Sequence, residues 1–309
     1  MNAVPDGFRS DLVRWRQLVS VPWLAALIAE RAVAAEPARN WKLFEVACDG
    51  RAAFLESHIP AAGYLDTLQF EGPPLWNKVA DAELLRVLEE AGVGPLTTVI
   101  LYGRNSLAAA RVAHLLLYAG VLDVRLLDGG FDAWCAAGQP LHRGDERQAN
   151  AFVPHGAWPG NFPARPELLL DVDQAKRLLD HPHGGLVSIR SRAEFMGETS
   201  GYDYIVARGE IPGALWGHAG RDGDVNHMGS FQHADDRMKL ATDIAAVWAE
   251  AGIHPQMHIA FYCGTGWRAS LAFFYAWLMG WEHVSVYDGG WLEWSSDPTN
   301  PVVCHCNIP

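Results

Sequence analysis

The sequence predicts an α/β protein of two like domains, each a mainly parallel sheet covered by helices on both faces. Three observations predict it. Short apolar runs alternate with helical patterns, as a buried parallel sheet requires. The chain also repeats itself: Tyr102 matches Tyr262 and Asp128-Gly129-Gly130 matches Asp288-Gly289-Gly290, with 262 − 102 = 160 and 288 − 128 = 160. Self-similarity at a fixed offset is the signature of duplication. Finally, Pro154, Pro159, Pro163 and Pro166 crowd the stretch that starts at His142, the composition of a linker.

Taken in order, Val19 opens a strand, Pro22 to Glu30 form a helix with proline in its first turn, and Leu43 to Val46 form a buried strand. A strand around Ile100 leads to a helix over Ala108 to Ala119. In the second half Asp171 to Leu179 carry apolar residues at helical spacing, and Leu186 to Ile189 form the equivalent buried strand. The run around Phe261 leads to a helix over Arg268 to Met279. His58-Ile59-Pro60 echoes Glu210-Ile211-Pro212 at 210 − 58 = 152, so the second copy holds 160 − 152 = 8 more residues between this turn and the loop at Cys263. The domains are therefore placed at 1–145 and 167–309, with 146–166 as linker.

Composition narrows the function. A net charge of −12 without a basic cluster argues against nucleic acid and anionic membranes. No apolar run is long enough to span a bilayer, and Leu18 to Ile28 read as the start of the repeated unit, not a secretory signal. Five cysteines without framework spacing predict a reduced, cytoplasmic protein. Cys304-His305-Cys306 lacks two ligands of a structural zinc site, and His218, His227 and His233 match no metal template. No metal or cofactor is expected. The tail reads as incidental, although its thiols are placed to accept sulfur from elsewhere in the chain.

Cys263 carries the chemistry. It lies in Tyr262-Cys263-Gly264-Thr265-Gly266-Trp267-Arg268, between the apolar run and the following helix. A turn facing a helix N-terminus offers unpaired N–H groups and the positive end of the dipole, both of which favour an anion. Gly264 and Gly266 let the backbone curl so that several amides meet one sulfur, and Arg268 adds a permanent charge. The sulfur anion is the nucleophile. A buried cysteine acting as a small hydrophobe is the bland alternative. Gly264-Thr265-Gly266-Trp267-Arg268-Ala269 also fits a dinucleotide fingerprint with Asp288 as the ribose acid, but too little chain follows for a nucleotide fold. A phosphatase loop needs five residues between cysteine and arginine, and here only Gly264 to Trp267 intervene. Gly103 occupies the matching position of the first copy, which predicts a catalytically silent half that supplies one wall of the site.

These pieces together resemble the tandem-domain rhodanese superfamily of sulfurtransferases. The resemblance rests on Val19-Ser20-Val21-Pro22-Trp23, Phe162-Pro163-Ala164-Arg165-Pro166, Arg208-Gly209-Glu210-Ile211-Pro212-Gly213, the Cys263 loop and Asp288-Gly289-Gly290-Trp291. It implies that Cys263 takes a sulfane sulfur from a small donor (thiosulfate, 3-mercaptopyruvate or polysulfide), holds it as a persulfide and passes it to an acceptor. Gly264, Thr265, Gly266 and Trp267 form the persulfide loop, with Arg268 beside it. The family strand Val-Asp-x-Arg is here Val187-Ser188-Ile189-Arg190: the acid is lost, and Arg190 either binds the donor or pairs with Glu194 or Glu198. The Cys263 to Arg268 segment and Gly201-Tyr202-Asp203-Tyr204 are also similar to the rhodanese-type ergothioneine synthase, which inserts sulfur into hercynine. That likeness makes Tyr204 the candidate proton donor. Trp216, Trp267, Trp291 and Trp294 are then candidates for an aromatic cage around a trimethylammonium group, or simply core and wall residues. A persulfide carrier or sensor is the reading from another class.

Overall fold

The computed structural model describes residues 4–144, 158 and 160–305. The described chain divides into two compact units. Unit 1 takes its residues from 1–72, 78–166 and 235–238, and unit 2 from 73–77, 167–234 and 239–309. Most of the expected linker, 146–157 and 159, lies outside the described residues.

The first half of the chain runs β1 (Leu18–Val19), α1 (Val21–Ile28), β2 (Lys42–Ala47), α2 (Arg51–Glu56) and β3 (Ala62–Asp66). A two-stranded ribbon follows, β4 (Glu71–Gly72) with β5 (Asn77–Lys78). Then come α3 (Asp81–Glu90), β6 (Thr98–Tyr102), α4 (Ser106–Ala119), β7 (Asp123–Leu127) and α5 (Gly130–Ala136). The second half runs β8 (Leu169–Leu170), α6 (Val172–Leu179), β9 (Gly184–Ser188), α7 (Arg192–Met196) and β10 (Leu215–Trp216). It ends with α8 (Ala241–Glu250), β11 (His258–Tyr262), α9 (Trp267–Leu278), β12 (Val284–Tyr287) and α10 (Gly290–Ser296).

The two five-stranded sheets have one topology. Unit 1 orders its strands β1-β7-β6-β2-β3, and unit 2 orders them β8-β12-β11-β9-β10. Every pairing in both is parallel. Central strands buried on both faces explain the uninterrupted apolar runs Val99–Tyr102 and Ile259–Tyr262. The helices that flank the sheets follow the same logic. In α4 every residue from Leu107 to Ala119 is buried, and in α9 so are Arg268 to Ala276 and Leu278. Local signals set the ends: Ser20 caps α1, an Asp171–Gln174 capping box opens α6, and Gly120 at φ 108° ends α4.

Each central strand, β6 or β11, thus delivers its last residue to a turn facing the N-terminus of a buried helix. That turn holds Gly103 in unit 1 and Cys263 in unit 2. Among the described residues, no helix is long and apolar enough to cross a membrane.

Candidate active site

Between β11 and α9 the chain has four residues, Cys263 to Gly266, in which to reverse from strand to helix. Gly266 makes this possible at φ 104°, a conformation that L side chains rarely adopt. It is also the N-cap residue of α9, and no side chain caps that helix. The Gly266 N–H instead donates to Cys263 Sγ at 3.2 Å. The sulfur thus accepts from the backbone N–H of the N-cap residue itself, immediately ahead of the helix. The first turn of α10 closes over the loop: Trp291 N–H donates to the Cys263 carbonyl at 2.8 Å, and Leu292 N–H to that of Gly264 at 3.1 Å. Gly290, at φ +54°, permits this approach, since a Cβ there would lie 2.7 Å from the Cys263 carbonyl oxygen.

Behind the loop lies a buried chain of charges. Arg268, 1% exposed, gives Nη1 and Nη2 to the two carboxylate oxygens of Glu194, at 2.8 Å each. Nη2 also donates to the Tyr202 hydroxyl at 2.9 Å. Burial pushes the Glu194 carboxyl up, but the hydrogen bonds and charge of Arg268, with Arg190 and the Ser191 N–H, outweigh it and hold Glu194 below the usual carboxylate range. Arg190 is wholly buried and donates through Nη1 to Gly209 O at 2.8 Å and to Glu210 at 3.3 Å. Its Nε lies 3.6 Å from Glu194, and its guanidinium sits 5.0 Å over the Trp291 ring. Glu210 further accepts from Ser188 Oγ at 2.7 Å, from the Ile211 N–H at 2.9 Å and from the Tyr262 hydroxyl. Burial dominates here, and the Glu210 carboxyl is raised. The acid missing from the strand at Ser188 is therefore supplied by Glu210, from the segment between α7 and β10.

The residues expected from sequence fall into two groups. Cys263, Gly264, Thr265, Gly266, Trp267 and Arg268 come together at the start of α9. Arg190 and Trp291 are fully buried behind them, and the Trp291 indole N–H is spent on Ala207 O at 2.9 Å. Trp294 is likewise buried, its N–H on Pro301 O. Trp216 is half-buried, donates to Arg190 O at 2.9 Å and stacks on His218 at 3.8 Å. Tyr204 is 52% exposed, with ring centroids 5.3 Å from Tyr202 and 6.4 Å from Trp76. The aromatic residues gathered on this side of unit 2 are thus Tyr202, Tyr204 and Trp76.

Sequence reasoning passed over two of these, and also Glu194 as the partner of Arg268. Tyr202 packs so closely on the loop that a Cβ at Gly264 would lie 2.3 Å from its ring. Its sequence signal was the Gly-Tyr-Asp-Tyr segment, in which Tyr204 drew the attention. Trp76 comes from Pro73–Asn77, and Asn77 Nδ2 donates to Glu293 at 2.9 Å within the same unit. Nothing in the local sequence marks that segment as belonging to unit 2. Among the cysteines, Cys48, Cys135 and Cys263 are free thiols, whereas Cys304 is disulfide-bonded where sequence led us to expect thiols throughout. Cys306 lies outside the described residues.

A parallel α/β unit that aims one cysteine at an uncapped helix start defines a class. The rhodanese-like domain matches residues 23–137 and 171–297, and the chain belongs to that family. The chain is 52% identical over 291 residues to the thiosulfate sulfurtransferase YnjE of Escherichia coli, covering 94% of this chain and 66% of YnjE, so it spans just under two thirds of that relative. The crystal structure of YnjE superposes with a TM-score of 0.90, over 95% of this chain and 69% of that one. A structure of EanB in complex with hercynine is 40% identical with a TM-score of 0.88, over 96% and 70% of the two chains. The sulfur carrier protein TtuD of Thermus thermophilus is 32% identical, over 77% of this chain and 82% of TtuD.

Proposed function

We propose that this protein is a rhodanese-type sulfurtransferase that moves a sulfane sulfur from a small donor to an acceptor through a persulfide on Cys263. The single observation that carries this reading is the Gly266 N–H donated to Cys263 Sγ at the uncapped start of α9. The Cys263 thiolate attacks the donor's sulfane sulfur. The bond from that sulfur to the rest of the donor breaks, its electron pair leaves with the departing donor fragment, and Sγ is left carrying a second sulfur. The acceptor then takes that outer sulfur while the S–S electron pair returns to Cys263. Amides fixed by the fold stabilise the anion at both ends of the cycle without reorganising. Thr265 and Trp267 line the same turn. Arg268 holds the turn through Glu194 and Tyr202, and Arg190 and Trp291 belong to its frame. The names of YnjE and of the other sulfurtransferases support the class. Three free thiols support a cytoplasmic location, with the Cys304 disulfide as the feature that stands apart.

The test is a donor panel. The protein is incubated separately with thiosulfate, 3-mercaptopyruvate and polysulfide, then chased with cyanide, a thiol and hercynine. Turnover of at least one donor–acceptor pair is expected, and turnover of none contradicts the reading.

EanB supports a second reading, sulfur insertion into hercynine, since its structures include complexes with hercynine and with ergothioneine linked to a persulfide cysteine. Tyr204 would then deliver the proton. The observation that favours it here is the grouping of Tyr202, Tyr204 and Trp76, because a trimethylammonium cation is held by aromatic faces. On this reading Trp267→Ala, at the first position of α9, weakens hercynine binding and leaves persulfide formation intact. Unchanged binding removes Trp267 from the cage. TtuD supports a carrier instead, for which the persulfide forms but transfers only to a partner protein.

A further inference from the structure

We infer that the Tyr202 hydroxyl donates a hydrogen bond to the sulfur carried by Cys263, and that Arg268 acts on that sulfur through Tyr202. The inference rests on the persulfide reading above. Its starting point is an unused donor. Tyr202 Oη accepts from Arg268 Nη2 at 2.9 Å, so its one proton must point away from the guanidinium. No described residue accepts that proton. Other tyrosines of the chain do spend theirs: Tyr64 on Asp66 at 2.9 Å, Tyr118 on Asp81 at 3.0 Å and Tyr262 on Glu210.

Position supplies the second argument. A Cβ built on Gly264 would lie 2.7 Å from Tyr202 Oη, so the hydroxyl rests against the residue that follows Cys263. Glycine at 264 is what admits it. Arg268 itself is committed elsewhere, with both terminal nitrogens on Glu194. The fold thus turns a buried cation toward the loop by way of a neutral phenol. Burial also pushes the Tyr202 phenol up, despite the opposing charge of Arg268, so it keeps its proton while donating. In the transfer step the acceptor's lone pair bonds the outer sulfur, the S–S bond breaks, and its electron pair goes to Cys263 Sγ beside the Gly266 N–H. No proton moves, and Tyr202 stabilises the outer sulfur before it leaves.

Tyr202→Phe keeps the ring against Gly264 and removes only the hydroxyl. The measurement is the rate of sulfur transfer to cyanide from protein preloaded at Cys263, followed against pH. A hydrogen bond to a charged group corresponds to about a 10- to 100-fold effect. We therefore expect the pH at which loaded Tyr202→Phe becomes competent to rise by about one to two units, with loading at Cys263 preserved. Wild-type rate and pH midpoint in the variant overturn the inference, as does a loss that is uniform across pH, which marks a structural role. Replacing Tyr202 by 3-fluorotyrosine keeps ring and hydroxyl but strengthens the donor, and should move the midpoint the opposite way. An unmoved midpoint there overturns the inference even if Tyr202→Phe fails to fold. Failure of wild-type protein to load Cys263 instead strikes the persulfide reading itself, and is seen before any variant is compared.

Discussion

The turn at Gly103 and the turn at Cys263 are the same piece of architecture put to opposite uses. In unit 1 Phe131 N–H donates to the Gly103 carbonyl at 3.0 Å, as Trp291 N–H does to that of Cys263 in unit 2. Gly130 and Gly290 adopt φ +57° and +54° for the same close approach. What differs is what fills the turn. In unit 1 the Asn105 side chain accepts from Leu107 N–H at 2.9 Å and caps α4. Arg104 lies across the turn, bonded to Glu45 at 2.9 Å and to the Ala53 and Ser57 carbonyls. In unit 2 glycines take the positions of Asn105's neighbours, the helix goes uncapped, and sulfur accepts the amide. One copy caps its helix start with its own side chain, and in the other the N-cap amide meets a sulfur.

The acid has moved as well. Glu45 pairs with Tyr102 across β2 and β6, and the corresponding partner of Tyr262 is Ser188. The carboxylate of unit 2 is Glu210, where the first copy has His58. The acid that meets the central-strand tyrosine is thus Glu45 on β2 in unit 1 and Glu210, ahead of β10, in unit 2, each with an arginine beside it.

The largest effect expected from this comparison is on activity. Cys263→Ser should abolish sulfur transfer, and Gly103→Cys should not create it in a Cys263→Ser background. A Cβ at Gly103 meets the Asn105 carbonyl oxygen at 2.4 Å, so the new thiol has no room in the turn. Transfer by the double variant, measured with the productive donor, would break the contrast. Next is the buried pair. Arg268→Met leaves Glu194 without its bidentate partner and should cost about 3–5 kcal/mol in denaturant unfolding, with part recovered by adding Glu194→Gln. Gly130→Ala and Gly290→Ala then form a matched experiment. Each places a side chain in the left-handed region against a carbonyl and should cost about 1–3 kcal/mol, but only Gly290→Ala should slow transfer.

The pH dependence is smaller and separates two carboxylates by sign. Glu194 is depressed, so its contribution is fully present above its unfolded value of about 4.3 and is lost as pH falls through its folded value. Glu210 is raised, so the folded state favours its proton and stability declines as pH rises from about 4.3 toward its folded value. Glu194→Gln should therefore flatten the acid limb of the stability profile. Glu210→Gln should gain on the wild type as pH rises. Asn105→Ala, the mildest change, removes a helix cap for about 1 kcal/mol and leaves transfer untouched.

The duplication was legible because strand, turn and buried helix fix their own lengths, which holds the 160-residue offset from Tyr102 to Asp128. Cys263 was legible for the same local reason: glycines, sulfur and helix start lie within a few residues. What escaped was carried by distant partners. The sequence marks Arg268 as a permanent charge near the sulfur, but its carboxylate partner, Glu194, lies 74 residues away, and only the fold brings the two together. Tyr202 and Tyr204 share one short segment, and which ring meets Gly264 depends on the backbone between them. The placement of Pro73–Asn77 in unit 2 follows from tertiary packing alone.

The measurement that tests the central claim most directly is peptide-level mass spectrometry of the wild type after brief exposure to each donor. The account predicts a gain of one sulfur confined to Cys263, with Cys48 and Cys135 unchanged and no gain in Cys263→Ser. Sulfur lodged on Cys48 or Cys135 in preference to Cys263, or on none of them with any donor, would contradict it.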